Sequence, residues 1–185
     1  MDQKKTVFQP VAFTLTVLAA LLRLAPHPPN FSPVGSVALF GGARLRGWQA
    51  YFVPIAAMLL TDPIRSRIEG AHTAYSWLSL VVYSAFLINV LLGRVFLRHS
   101  SSPWRIGSVA LLGSVQFYLL TNFPSWLSAS SIYPHTWGGL VECYVAALPF
   151  FGYTVASDLL YCAVLFTAHA LLSRRVPAEQ QSLAA

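Results

Sequence analysis

Charge is what this sequence most lacks. Only 10% of its 185 residues are Asp, Glu, Lys or Arg, while 56% are apolar, and an average soluble domain carries about 25% charged residues. A water-soluble fold of this size has no way to hide so much apolar surface. Carboxylates are scarcest, with six Asp and Glu against twelve Lys and Arg and a formal net charge of +6. The basic residues stand in small groups beside apolar runs, where they set membrane orientation, so nucleic-acid binding is excluded. Cysteine is nearly missing: Cys143 and Cys162 both lie in apolar segments without CxxC or Cys/His spacing, so neither a disulfide framework nor a zinc site is indicated. Catalytic signatures are missing as well. There is no GxSxG turn, HExxH helix or GxGxxG loop, and Gly41-Gly42 before Arg44 is too short to cradle a phosphate. No enzyme activity, cofactor or metal is expected.

What the chain has instead is long apolar runs near 20 residues, the length a hydrocarbon core of about 30 Å demands of a helix. The expected fold is all-α, a polytopic membrane bundle of about six transmembrane helices, with a short second helix and a broken last one. A first span is expected from Val7 to Ala25; Arg23 and Pro26 sit where signal cleavage needs small residues, so it is read as a retained helix. Pro26, Pro28, Pro29 and Pro33 make the next segment a rigid extended loop. Val34 to Ala43 reaches only about 15 Å as a helix. Gly47 to Asp62 forms a third run with Pro54 as a kink, ending in the turn signature Thr61-Asp62-Pro63 and a polar loop through His72. Tyr75 to Leu97 and Trp104 to Phe123 form the fourth and fifth spans, with Trp104 and Trp126 as interface anchors. Gly138 to Leu172 exceeds one span and is expected to break at Pro149, leaving a short helix and a true span from Tyr153 to Leu172. Residues 1–176 form one transmembrane domain, and 177–185 a disordered tail.

Six crossings with a cytoplasmic N-terminus place Lys4, Lys5, Arg44, Arg46, Arg94, Arg98, Arg105, Arg174 and Arg175 inside, leaving Arg23, Arg65 and Arg67 outside. Nine against three favours this orientation, in the inner (plasma) membrane with both termini cytoplasmic. The outer half then gathers Arg23, His27, Asn30, Asp62, His72, Asn122, Tyr133, His135, Glu142, Tyr144 and Asp158. Asp158 stands about two turns into the final span, where an ionisable group needs a partner or a wet cavity; a structural salt bridge or cap to the neighbouring helix explains it as well as ligand contact does. Asp62 either fixes its turn or neutralises Arg23. Glu142 fits an interfacial helix or a ligand contact. The three outer histidines share no ligand spacing, and a metal site would depend wholly on the fold. Small residues four apart, Ala12-Thr16-Ala20, Ala38-Gly42 and Ala110-Ser114, allow close helix approach, and the first set could also dock a partner subunit.

The run from Arg23-Leu24-Ala25-Pro26-His27-Pro28-Pro29-Asn30-Phe31-Ser32-Pro33 through Gly41-Gly42-Ala43 resembles the signature of a bacterial membrane family of unknown function, DUF6580. Leu119-Leu120-Thr121-Asn122-Phe123, Tyr133-Pro134, Cys143 to Phe151 and Gly152 to Tyr161 are similar to its later motifs. That family in turn resembles, in architecture, the substrate-binding S components of energy-coupling factor vitamin transporters. The resemblance implies a six-helix fold with an outward pocket roofed by the loop after the first helix. It would put His27 and Asn30 on the roof, Asn122 at the outer end of the fifth helix, and Tyr144 and Asp158 by the pocket wall. The face at Ala12 and Ala20 would resemble the docking surface for a coupling subunit. Cobalt- and nickel-type S components begin with a metal-binding Met-His pair; this chain begins Met1-Asp2, which counts against that branch.

Two readings of function follow. In the first, walls including Phe31, Trp137 and Tyr144 enclose a small molecule that a few polar groups orient, in a vitamin-type uptake subunit whose partners are a small-molecule ligand, membrane lipid and a coupling subunit. The candidate ligand residues are His27, Asn30, Asn122, Glu142, Tyr144 and Asp158. In the second, the same polar residues hold helices together in a structural or assembly subunit of a membrane complex.

Overall fold

Six α-helices and no strand account for the regular structure in a computed structural model of the chain, which describes residues 9–68, 70 and 75–174. Expectations that fall on His72, Arg175 and the 177–185 tail lie outside the described residues. The helices are α1 (Pro10–Leu22), α2 (Val34–Arg44), α3 (Gln49–Ile68), α4 (Trp77–Leu92), α5 (Pro103–Leu127) and α6 (Trp137–Ser173). α4 runs on through a π-helical turn, Gly93–Leu97. The α4 stretch to Leu97, α5 and α6 are each long and apolar enough to cross a membrane, and α1 is a shorter apolar helix of 13 residues. Those three helices are consistent with a membrane protein.

The short helix is the core of the bundle. Every residue of α2 from Val34 to Ala43 is buried, because α1, α3, α4, α5 and α6 all pack around it. With 11 residues, α2 is only about 16 Å long, so its backbone is shielded by protein rather than lipid. Glycine makes the contact with α4 possible. A Cβ on Gly42 would strike the backbone carbonyl of Val90, and one on Gly93 the carbonyl of Leu39. The two backbones therefore touch at reciprocal positions. At the far end of α2, Arg44 donates to the carbonyls of Leu97 (2.9 Å), Arg98 (3.1 Å) and Ser100 (2.7 Å), capping carbonyls that the end of α4 leaves without helical partners.

α5 runs past its expected end at Phe123, through Pro124 to Leu127, and two further helices differ from the sequence expectation. α3 does not stop at Thr61-Asp62-Pro63 but continues to Ile68, with Pro54 and Pro63 inside it. Proline at 63 removes the N–H that would have bonded the carbonyl of Leu59, four residues back. The Tyr75 hydroxyl donates to that carbonyl at 2.6 Å, so the helix survives its proline. Tyr75→Phe leaves the carbonyl without this bond and is expected to lower stability by about 1 kcal/mol. A drop of a few degrees in the thermal melt of detergent-purified protein would register it, and an unchanged melt would show that water substitutes.

The second difference is α6, which is one unbroken helix of 37 residues, about 55 Å long. The expected break at Pro149 does not occur. A proline costs a helix one hydrogen bond, which neighbouring helices tolerate in a membrane bundle, and α5 flanks α6 more extensively than any other element does. Tyr118 and Tyr144 fasten the pair: the Tyr118 hydroxyl donates to the Tyr144 carbonyl (2.6 Å) and the Tyr144 hydroxyl to the Leu119 carbonyl (2.7 Å).

The small-residue face of α1 is used internally. Ala12 and Thr16 are fully buried and Ala20 nearly so, as α1 packs on α2, α3 and α6. The expected docking surface at Ala12, Thr16 and Ala20 is corrected accordingly, since a face with no exposed area has nothing to offer a partner subunit.

Candidate functional site

A cavity of about 300 Å³ lies where α2 begins, beneath the 23–33 loop. The loop and the end of α1 contribute Arg23, His27, Asn30 and Ser32; α2 contributes Val34 and Gly35. Met58, Asp62 and Arg65 come from α3, Val82, Phe86 and Asn89 from α4, Phe117 from α5, and Thr154 and Asp158 from α6. Five helices and the loop thus converge on one space. Asn30 holds the loop in shape with a positive φ of 61°, a left-handed conformation that asparagine adopts more readily than most residues.

One wall is an ionic network. Arg23 pairs with Asp62 at 2.7 Å and donates to the Thr61 hydroxyl at 3.0 Å. The Tyr83 hydroxyl donates a short hydrogen bond to the other oxygen of Asp62. The sequence reading that Asp62 neutralises Arg23 is the one the fold uses. Beside it, Arg65 lies 2.7 Å from the His27 ring, which also approaches the Arg23 carbonyl. These contacts tie α1, α3, α4 and the loop together.

The floor is Asp158. Its side chain is 2% exposed and accepts from the Ser114 hydroxyl at 2.7 Å and the Ser36 hydroxyl at 3.3 Å; Ser36 also donates to its backbone carbonyl at 3.0 Å. No cation pairs with it among the described residues. Gly35 is the residue that lets α2 come this close, because a Cβ there would overlap the carboxylate.

Three lining residues carry buried polar atoms with no hydrogen-bond partner: Arg23 Nε, Ser32 Oγ and Asn89 Nδ2. Asn89 is 1% exposed, and only its oxygen is engaged, by Gln116 Nε2 at 3.0 Å. Buried polar groups are nearly always satisfied, and an orphan costs about 1–3 kcal/mol. Three of the six such atoms among the described residues lie around this cavity, where a polar occupant would contribute the missing bonds.

Not every expected residue faces this space. His27, Asn30 and Asp158 line it. Asn122 lines an adjoining cavity of about 280 Å³ and spends its amide on the Tyr118 carbonyl. The two cavities share Asn30, Phe117 and Thr154. Tyr144 is committed to the α5 fastening, and Glu142 is exposed on the outer surface of α6. Trp137 is 84% exposed, and Phe31 packs on Tyr161 with ring centroids 6.1 Å apart, so neither is a wall. The apolar walls are Val34, Met58, Val82, Phe86 and Phe117 instead. No group of three metal-ligating side chains forms among the described residues; His135 packs edge-to-face on Trp126. Sequence reasoning passed over Asn89, although an amide in the middle of an apolar span is itself a signal of function.

The DUF6580 family profile, described as a family of unknown function, matches residues 3–179. The chain belongs to this family. No curated protein and no solved structure matches it, so DUF6580 membership carries no activity with it, and a functional reading rests on the cavity.

Proposed function

We propose that this DUF6580 protein is a membrane-embedded binding subunit that takes a small polar molecule into the cavity under the 23–33 loop. The observation that carries the reading is the set of orphaned groups on Arg23, Ser32 and Asn89. A volume of about 300 Å³ is at the small end of ligand pockets, which span about 300–1,000 Å³. Two of the orphans, Arg23 Nε and Asn89 Nδ2, are pure donors and the serine hydroxyl can donate. The ligand is therefore one that presents acceptor oxygens, a carboxylate or carbonyl, with an apolar portion against Phe86 and Phe117. The role proposed for the site is uptake through the membrane, with a coupling subunit as partner.

Native mass spectrometry of the purified full chain for a co-purified compound is the direct test. Asn89→Leu sharpens it, because Gln116 keeps its bond to the Ala85 carbonyl (2.9 Å) when the asparagine is gone. The variant is expected to fold, trading the removed Asn89 orphan for the lost Gln116 Nε2 bond to Asn89 Oδ1 (3.0 Å), and to lose the compound. Wild-type protein at a hundredfold excess of that compound over its Kd should melt roughly 5–10 °C higher, the equivalent of about 2.7 kcal/mol. A compound held equally by wild type and Asn89→Leu would remove this cavity as the site.

The competing reading, a structural or assembly subunit without a ligand, draws on the ionic network. Arg23, Thr61, Asp62 and Tyr83 are joined to one another and need no occupant to explain them. That reading predicts an empty purified protein and an Asn89→Leu variant distinguished only by its melting temperature.

A further inference from the structure

At the opposite end of the bundle a second, larger cleft of about 880 Å³ opens between the start of α5 and the last turns of α6. Its mouth carries Arg44, Arg98 and Arg174 together with His99 and His169, and no carboxylate among the described residues lines it. Arg44 is spent on the carbonyls at the end of α4 and sits 4.9 Å over the Phe166 ring. Arg98 and Arg174 are exposed and make no ion pair among the described residues. Two exposed guanidinium groups, Arg98 and Arg174, with no acid of the described residues between them call for an anion.

The rest of the cleft is apolar. Leu159, Ala163, Phe166 and Ala170 lie at helical spacing along one side of α6, with Ile106 and Gly107 of α5 opposite. Leu159 to Ala170 covers about 16 Å at 1.5 Å per residue, and Leu159, Ala163 and Ala170 are exposed. The cleft is thus a groove that runs from a cationic mouth along a helix long and apolar enough to cross the membrane. A soluble anion would use the mouth and leave the groove empty. An acidic protein segment has no reason to follow an apolar stripe to mid-helix.

We infer that this cleft is a binding site for one anionic phospholipid, with its phosphate between Arg98 and Arg174 and an acyl chain along Leu159, Ala163 and Ala170. Basic pockets between transmembrane helices recognise anionic headgroups by this combination of charge and depth. α5 adds to the potential at the mouth, since its positive N-terminal end lies there and Ser102 supplies no side-chain cap. The site is separate from the cavity under the 23–33 loop and does not depend on a ligand there.

The test is native mass spectrometry and thermal melting of the full chain in detergent, titrated with phosphatidylglycerol, cardiolipin or phosphatidylcholine. Wild type is expected to retain the anionic lipids at least about tenfold more strongly than phosphatidylcholine, and Arg98→Gln combined with Arg174→Gln to erase that preference. Both positions are exposed, so the double variant keeps its fold, and a melt matching lipid-free wild type verifies it. Arg105→Gln removes a charge that does not line the cleft and should leave the preference intact. Ala163→Trp fills the groove without touching the charges and should weaken retention too. Equal retention of anionic and zwitterionic lipids, or a double variant as selective as wild type, overturns the inference. So does displacement of the lipid by millimolar inorganic phosphate, which would make the mouth a phosphate site.

Discussion

Arg23→Met is expected to be among the most damaging single substitutions in this protein. An exposed ion pair is worth about 0–1 kcal/mol, but the Arg23 and Asp62 side chains are only 11% and 17% exposed, which puts the pair nearer the buried class. Removing one member of a buried pair costs about 3–5 kcal/mol, because the remaining charge is stranded away from water. Asp62 would keep the Tyr83 hydroxyl and lose its cation. A melting temperature lower by roughly 10 °C follows for a chain of this length. Adding Asp62→Leu to Arg23→Met removes the stranded charge and should recover much of the loss, since apolar replacement of both partners is often neutral. A single variant that melts within about a degree of wild type would show that the network is solvated and does not hold α1 against α3.

The second large effect belongs to the contact between α2 and α4. Gly42→Val or Gly93→Val inserts a side chain where the nearest atoms are backbone, the carbonyl of Val90 or of Leu39. A flexible side chain would yield, but a helix backbone does not, so the helices must separate and the buried face of α2 must open. Overpacking typically costs about 1–3 kcal/mol and here sits at the upper end or beyond. The expected result is loss of monodisperse protein after extraction, or a melt depressed by roughly 10 °C. Gly152→Ala is the contrasting change. Nothing lies within 4 Å of a Cβ there, and alanine within a helix gains about 0.5–1 kcal/mol over glycine. If all three variants melted alike, close approach would not be what the two glycines provide.

Much of this was legible from the residues. The apolar runs fixed an all-helical membrane fold and the approximate limits of α4 and α5, because the hydrocarbon core admits few alternatives. The prolines of residues 26–33 marked the roofing loop, and the ionisable residues at Arg23, Asp62 and Asp158 were correctly marked as needing partners or a cavity. Proline misled three times. At Pro63, Pro124 and Pro149 local sequence argues for an end or a break, whereas the helix continues through each. Whether a proline breaks a helix depends on what neighbouring helices supply, such as the Tyr75 hydroxyl at the Leu59 carbonyl, and a partner 16 residues away is invisible to a local rule.

The site was legible by chemistry and not by membership. His27, Asn30 and Asp158 line the cavity, while Tyr144 and Glu142 do not, because an aromatic or acidic residue near a membrane surface has the same local signature whether it faces ligand, lipid or another helix. Asn89 went unrecognised for the opposite reason: it lies inside an apolar run where attention goes to length rather than to a single amide.

By itself, then, the sequence determined that this chain is all-helical, with helices long and apolar enough to cross a membrane, since composition and run length are properties of the chain alone. It also determined which groups would be costly to bury. The tertiary structure alone decided that α2 is the hub, that Ala12, Thr16 and Ala20 face inward, and that Arg23, Ser32, Asn89 and Asp158 meet at one cavity. Those are relations between residues far apart in the chain, set by how close two backbones can come, and glycine against carbonyl is where that distance is fixed.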